Sequence, residues 1–272
     1  MKPDGASRPA VPHNGRWNDL GVRILSGLVL AGLGALAVAA GGWILLLTAC
    51  VAFSLMAWEL AALSDAPQLP ALRLAIAALA GAGLILSQGQ GFAVLTMAAA
   101  PLAMALSARA ERVLLAGYML AMLIAASGFV ALDAQGAVVV VWLVLVVVVS
   151  DVLGYFAGRL IGGPLFWPSI SPKKTWAGTV AGWAGAAVLG AIFALGQGHG
   201  WGLVLISPLV ALAGQMGDIA ESLIKRRAGV KDASRLIPGH GGVLDRFDAL
   251  IGAVLAVRLL QVFLTLPLGG AQ

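Results

Sequence analysis

Runs of about twenty apolar residues follow one another along almost the whole chain, separated by short polar connections. A helix of that length crosses the hydrocarbon core of a bilayer. Nine such segments are read: 22–40, 43–63, 72–88, 91–107, 112–131, 136–158, 176–196, 202–224 and 248–267. The third and fourth are rich in Gly and Ala. Composition agrees, since 60% of the residues are hydrophobic and 11% charged, whereas soluble domains carry roughly 25% charged residues. A soluble enzyme is excluded, and the expected fold is an all-α polytopic membrane protein with a cytoplasm-facing polar site. No internal repeat is visible, which argues against a transporter built from two related halves.

Residues 1–20 are polar, with Pro3, Pro9, Pro12 and Gly15, and read as a disordered cytoplasmic tail. The apolar segment after them is longer than a signal-peptide core and is retained as a span. Residues 21–135 then form a set of N-terminal transmembrane helices, and 136–272 a C-terminal catalytic region. Cys50 is the single cysteine, so the chain has no internal disulfide or cysteine-cluster metal site. The net charge of +5 has no soluble basic domain behind it, so nucleic acid is not an expected partner. Of the 17 lysines and arginines, all but Arg258 fall in tails, loops or span ends on one side when the N-terminus is placed inside. The positive-inside rule then puts that side in the cytoplasm and the C-terminus opposite. Membrane lipid is the surrounding partner, and a homodimer is allowed.

Residues 215–248 hold eleven charged side chains, five acidic and six basic, in an otherwise apolar protein. Offsets of three, four and seven put Asp218, Glu221, Ser222 and Lys225 on one helical face. Acids on such a stripe face a cavity, a cation or one another's counter-ions rather than lipid; an internal pair with Lys225 is the alternative. Asp245 and Asp248 lie three apart on the expected first turn of the ninth helix, where capping is the competing explanation. Hard carboxylate oxygens suit Mg²⁺, which bridges to substrate phosphates.

Between these acids, Pro238-Gly239-His240-Gly241-Gly242 offers backbone N–H groups to a phosphate, or simply makes a turn. His240 is read as a phosphate ligand, a proton carrier or a loop hydrogen-bonder. In the 159–175 loop, Ser171, Lys173, Lys174 and Thr175 precede a helix and form a candidate triphosphate grip, or a plain topology cluster. Asp151 stands four and eight residues before Tyr155 and Arg159. Asp151 and Arg159 either pair across two turns or line the cavity of Asp218. Glu59, after Trp58, is read as a snorkelling side chain or a helix contact.

Taken together, Ser222-x-x-Lys225-Arg226, Lys231-Asp232, Pro238-Gly-His240-Gly-Gly and Asp245-Arg246-Phe247-Asp248 resemble the signature of the phosphatidate cytidylyltransferase (CDP-diacylglycerol synthase) family over about 27 positions. Ser150-Asp151 with Tyr155 and Gly158-Arg159, and Ser171-Pro172-Lys173-Lys174-Thr175-Trp176, extend the match; Arg23 and Trp58-Glu59 are fainter echoes. The family commonly has Glu where this chain has Ala177. The resemblance implies transfer of CMP from CTP to phosphatidate at the inner leaflet of a bacterial plasma membrane, with Mg²⁺ and room for a second ion. It implies a catalytic set of Asp218, Lys225, Lys231, Asp232, His240, Asp245, Arg246 and Asp248. Substrate contacts would come from Ser171, Lys173, Lys174, Thr175, Ser222, Arg226, Gly241, Gly242, Tyr155 and Arg159, and metal ligands from Asp218, Asp245, Asp248 and Asp151. A CTP-dependent polyprenol or phytol kinase and an ion or phosphate transporter are the competing readings.

Overall fold

The computed structural model describes residues 15–64, 69–89, 93–196 and 200–268. The polar tail up to residue 14, parts of the connections at 87–91 and 197–200, and the last four residues lie outside the described residues. Among the described residues nine helices form in chain order: α1 (Gly15–Ala40), α2 (Gly42–Leu63), α3 (Pro70–Ser87), α4 (Ala93–Ser107), α5 (Arg112–Asp133), α6 (Ala137–Leu160), α7 (Trp176–Gly196), α8 (Leu203–Arg227) and α9 (Leu244–Phe263). Among the described residues seven of them, all but α4 and α9, are long and apolar enough to cross a membrane. α4 is shorter and contains Pro101, and α9 carries Asp245, Arg246, Asp248 and Arg258 along its length.

Contacts between helix ends set α2 and α8 antiparallel to α5, and α9 parallel to it. At one end, Asp133 at the close of α5 accepts the Gly42 N–H that opens α2, at 2.8 Å. At the same end, Gln261 of α9 donates to Gln135 between α5 and α6, at 2.7 Å. At the other end, Arg227 of α8 meets Glu111, which precedes α5, at 2.6 Å. All the strongly charged segments gather at this second end.

The core is a continuous set of buried apolar side chains, with Trp142, Phe53, Met119, Met122 and Leu143 among the largest. Where α6 meets α7 and α8 meets α9, the contact is made by glycine. Gly154 and Gly158 of α6 face Gly178 of α7, so close that a Cβ on Gly178 would fall on the Gly154 carbonyl, and Gly182 one turn on faces Ser150. Gly217 of α8 is pressed in the same way against the Asp248 carbonyl, and Gly252 of α9 against that of Ala213. Small residues four apart let membrane helices approach to backbone contact. Here that approach carries Asp218, next to Gly217, alongside Asp248.

One connection differs from expectation. Residues 159–175, read as a loop, contain an antiparallel hairpin of β1 (Leu165–Trp167) and β2 (Ser171–Thr175). Phe166 packs edge-on against Trp176 at 4.7 Å between ring centroids, which anchors the hairpin to the start of α7. The ninth helix begins at Leu244, ahead of the apolar run read from 248, and carries Asp245 and Asp248 in its first turns as expected.

Candidate functional site

Side chains alternate faces along a strand, and this divides the lysine pair of β2. Lys173 is exposed, whereas Lys174 is half-buried; its ammonium lies 2.8 Å from Asp218 Oδ2 and donates to the Gln215 carbonyl at 3.3 Å. The two side chains therefore leave the strand on opposite faces. Ser171 stands at the far end of the strand, opposite Trp167. Thr175 is buried, and its hydroxyl accepts the Gly178 N–H at 3.2 Å, which caps α7.

On α8, Lys225 is the hub. It forms an i,i+4 ion pair with Glu221, which is fully buried, and its ammonium lies 2.6 Å from Asp245 Oδ1. Asp245 Oδ2 accepts the backbone N–H groups of Ala233 (2.9 Å) and Gly242 (2.7 Å). Asp245 thus ties three parts of the chain together: the end of α8, the connection and the start of α9. Ser222 is half-buried, while Arg226, Lys231 and Asp232 are exposed. Arg226 donates to the Val230 carbonyl just beyond the helix, at 3.3 Å.

Residues Ile237 to His240 form a turn closed by the His240 N–H donating to the Ile237 carbonyl at 2.9 Å. Proline second and a positive φ of 75° at Gly239 third are what a type II turn requires. His240 Nδ1 lies 2.8 Å from the Ser26 hydroxyl of α1, which is also 3.0 Å from the Pro238 carbonyl oxygen. Arg246 donates through Nε to the His240 carbonyl at 3.0 Å. The Gly242 N–H goes to Asp245, so the expected phosphate cradle is closed at that position by a carboxylate of the chain itself.

Asp151 of α6, Asp218 of α8 and Asp248 of α9 lie within electrostatic range of one another, with Lys174 next to them. Asp248 Oδ1 accepts the Ala249 N–H at 2.7 Å. Among the described residues no three of His, Cys, Asp and Glu gather closely enough to enclose a metal ion alone. Mg²⁺ typically takes one or two carboxylates and keeps its remaining positions for water and phosphate; a set of carboxylates drawn from α6, α8 and α9 fits that habit. Arg159 is bound to Tyr155, its guanidinium 2.9 Å from the phenol oxygen. The pair considered between Asp151 and Arg159 is replaced by this contact, because a four-residue spacing brings side chains together and eight does not.

One residue gains a role that the sequence reading did not give it. Gln215, buried three residues before Asp218, accepts from Trp183 at 3.0 Å and donates to Ser150 at 3.1 Å. It joins α6, α7 and α8 beneath the charged face, and an amide inside an apolar run was the available signal. Glu59, whose helix contact was anticipated, reaches the opening of α9, as set out below.

Among known proteins, the chain matches the cytidylyltransferase family over residues 21–264. It is 42% identical to the phosphatidate cytidylyltransferase of Brucella abortus biovar 1 (strain 9-941) over 134 residues, 48% of this chain and 50% of the relative. With that of Helicobacter pylori strain J99 it shares 44% over 131 residues, 47% and 49% of the two chains. With that of Haemophilus influenzae strain Rd it shares 39% over 127 residues, 44% of each. The chain spans about half the length of these curated relatives.

Proposed function

Since the chain belongs to the cytidylyltransferase family, with residues 21–264 matching it, we propose that it is an integral membrane enzyme transferring CMP from CTP to phosphatidate. The products are CDP-diacylglycerol and pyrophosphate. A phosphatidate oxygen attacks the α-phosphorus, a bond forms there, and the bond to the pyrophosphate oxygen breaks. The observation that carries this reading is the meeting of Lys174 with Asp218, beside Asp151 and Asp248, at one end of the helix bundle. That arrangement offers both cation and carboxylate to a triphosphate.

Positioning and charge neutralisation dominate such a transfer. Lys174 meets the triphosphate, and Lys173, Lys231 and Arg246 supply further positive charge around the entrance. Asp218, Asp245 and Asp248, with Asp151 as a further donor, would hold Mg²⁺, which supplies charge neutralisation at the phosphates when bound. Asp245 would do so while its Oδ1 stays paired with Lys225. The site faces the cytoplasm of a bacterial inner membrane, and the phosphatidate chains enter between helices.

The test uses purified protein in phosphatidate-containing vesicles with Mg²⁺ and CTP labelled at either the α- or the γ-phosphate. Label from the α-position is expected in the lipid product and γ-label in pyrophosphate. Lipid carrying the γ-label would make the protein a kinase, and lipid free of both labels would refute transfer altogether.

A further inference from the structure

The N-terminus of α9 is capped by another helix. First-turn N–H groups have no partner within their own helix and concentrate the positive end of its dipole. Val243, at the N-cap position of α9, offers no capping side chain. Glu59, near the end of α2 and fully buried, takes their place. Its Oε1 accepts the Val243 N–H at 2.9 Å and the Ser234 hydroxyl at 2.5 Å, and its Oε2 accepts the Leu244 N–H at 2.6 Å. The preceding N–H, of Gly242, belongs to Asp245. Three consecutive N–H groups at a helix start, a ready anion site, thus end on two carboxylates of this chain. The fit is tight, since a Cβ on Gly242 would come within 2.7 to 2.9 Å of the Glu59 carboxylate.

We propose that Glu59 is a positioning residue: a resident anion that locks the α8–α9 connection onto α2, and so sets the place of Asp245 and of Lys225. The substrate's phosphates meet the lysines because the helix N-terminus is already filled. The catalytic part of this proposal rests on the transferase reading above; the structural part does not.

Hydrogen–deuterium exchange and steady-state kinetics on the full-length protein separate the two. In Glu59→Gln, one acceptor oxygen becomes an amide NH₂ facing N–H or O–H donors, so exchange at Val243 and Leu244 should rise about tenfold or more. The kcat should fall about ten- to hundredfold, the scale of an ångström-sized misplacement, with the KM for CTP changing less than about threefold. Gly242→Ala pushes on the same carboxylate, so the double variant should be no slower than the slower single one. If Glu59→Gln does not fold, Ser234→Ala removes one of the three donors and should raise the same two exchange rates by a smaller factor. Unchanged exchange in whichever variant folds overturns the proposal, as does a KM effect at constant kcat. Raised exchange in a protein whose wild type makes no CDP-diacylglycerol would retain the capping role and discard the transferase reading.

Discussion

Removing the Lys225 ammonium tests whether the charged face is held together by ion pairs or only decorated by them. Lys225 is the cation for Glu221 and Asp245, and the two acids differ in what remains without it. Asp245 retains the N–H groups of Ala233 and Gly242. Glu221 is 0% exposed, and its oxygens have no hydrogen-bond partner beyond the contact with Lys225. Lys225→Met therefore strands one buried carboxylate, and breaking a buried pair from one side costs about 3–5 kcal/mol. At about 2–4 °C per kcal/mol for a chain approaching this size, melting should fall on the order of 10 °C. The assay is loss of the monodisperse size-exclusion peak after heating detergent-solubilised protein, at one heating rate for all variants. Lys225→Met combined with Glu221→Leu removes the stranded charge and should regain most of the loss, because apolar replacement of a whole buried pair is often neutral. A single variant melting within about 2 °C of wild type would refute the argument, and so would a double variant as unstable as the single one.

Lys174→Ala should raise the KM for CTP about tenfold or more, while Lys173→Ala, on the opposite face of β2, changes it less than about threefold; a 1.4 kcal/mol contact is one factor of ten. Equal effects would return the two lysines to a joint grip. Asp218→Asn and Asp248→Asn should abolish Mg²⁺-dependent turnover while the protein still inserts and folds, and wild-type rates in either would remove that carboxylate from the proposed ion site. Gly217→Ala forces its Cβ onto the Asp248 carbonyl, so melting should fall by the equivalent of about 1–3 kcal/mol; an unchanged melting curve would show that α8 and α9 need not touch there.

Hydropathy alone located the helices of the described residues, seven of them long and apolar enough to cross a membrane, because a 20-residue apolar run has few alternatives. The charged face was legible too, since the offsets 218, 221, 222 and 225 follow from helix geometry. The side chains' partners were harder to read. That Lys173 and Lys174 part company depends on β2 being a strand, and a five-residue polar segment after a proline-bounded turn shows no period strong enough to reveal one. The Gly-rich turn looked open to phosphate because its N–H groups were counted and their acceptors were not. The Gly242 N–H ends on Asp245, which capping logic had allowed for as an alternative, and the two N–H groups just beyond the turn, of Val243 and Leu244, end on Glu59, some 180 positions away along the chain.

Exposure now ranks the site's lysines. Lys174 and Lys225 are each paired with carboxylates, so an incoming triphosphate must compete with a carboxylate for either of them. The Lys225–Asp245 side chains are 10% and 7% exposed, and those of Lys174 and Asp218 are 18% and 37% exposed. Separating the first pair strands charge where water cannot follow; separating the second lets Asp218 be resolvated or coordinated, so Lys174 is released at far lower cost. The hairpin that carries Lys174 is also held to α7 through Phe166 and Trp176 rather than through the lysine itself. Lys174 is therefore the residue free to exchange Asp218 for a phosphate, while Lys225 stays with Glu221 and Asp245 and keeps α8 and α9 in register throughout.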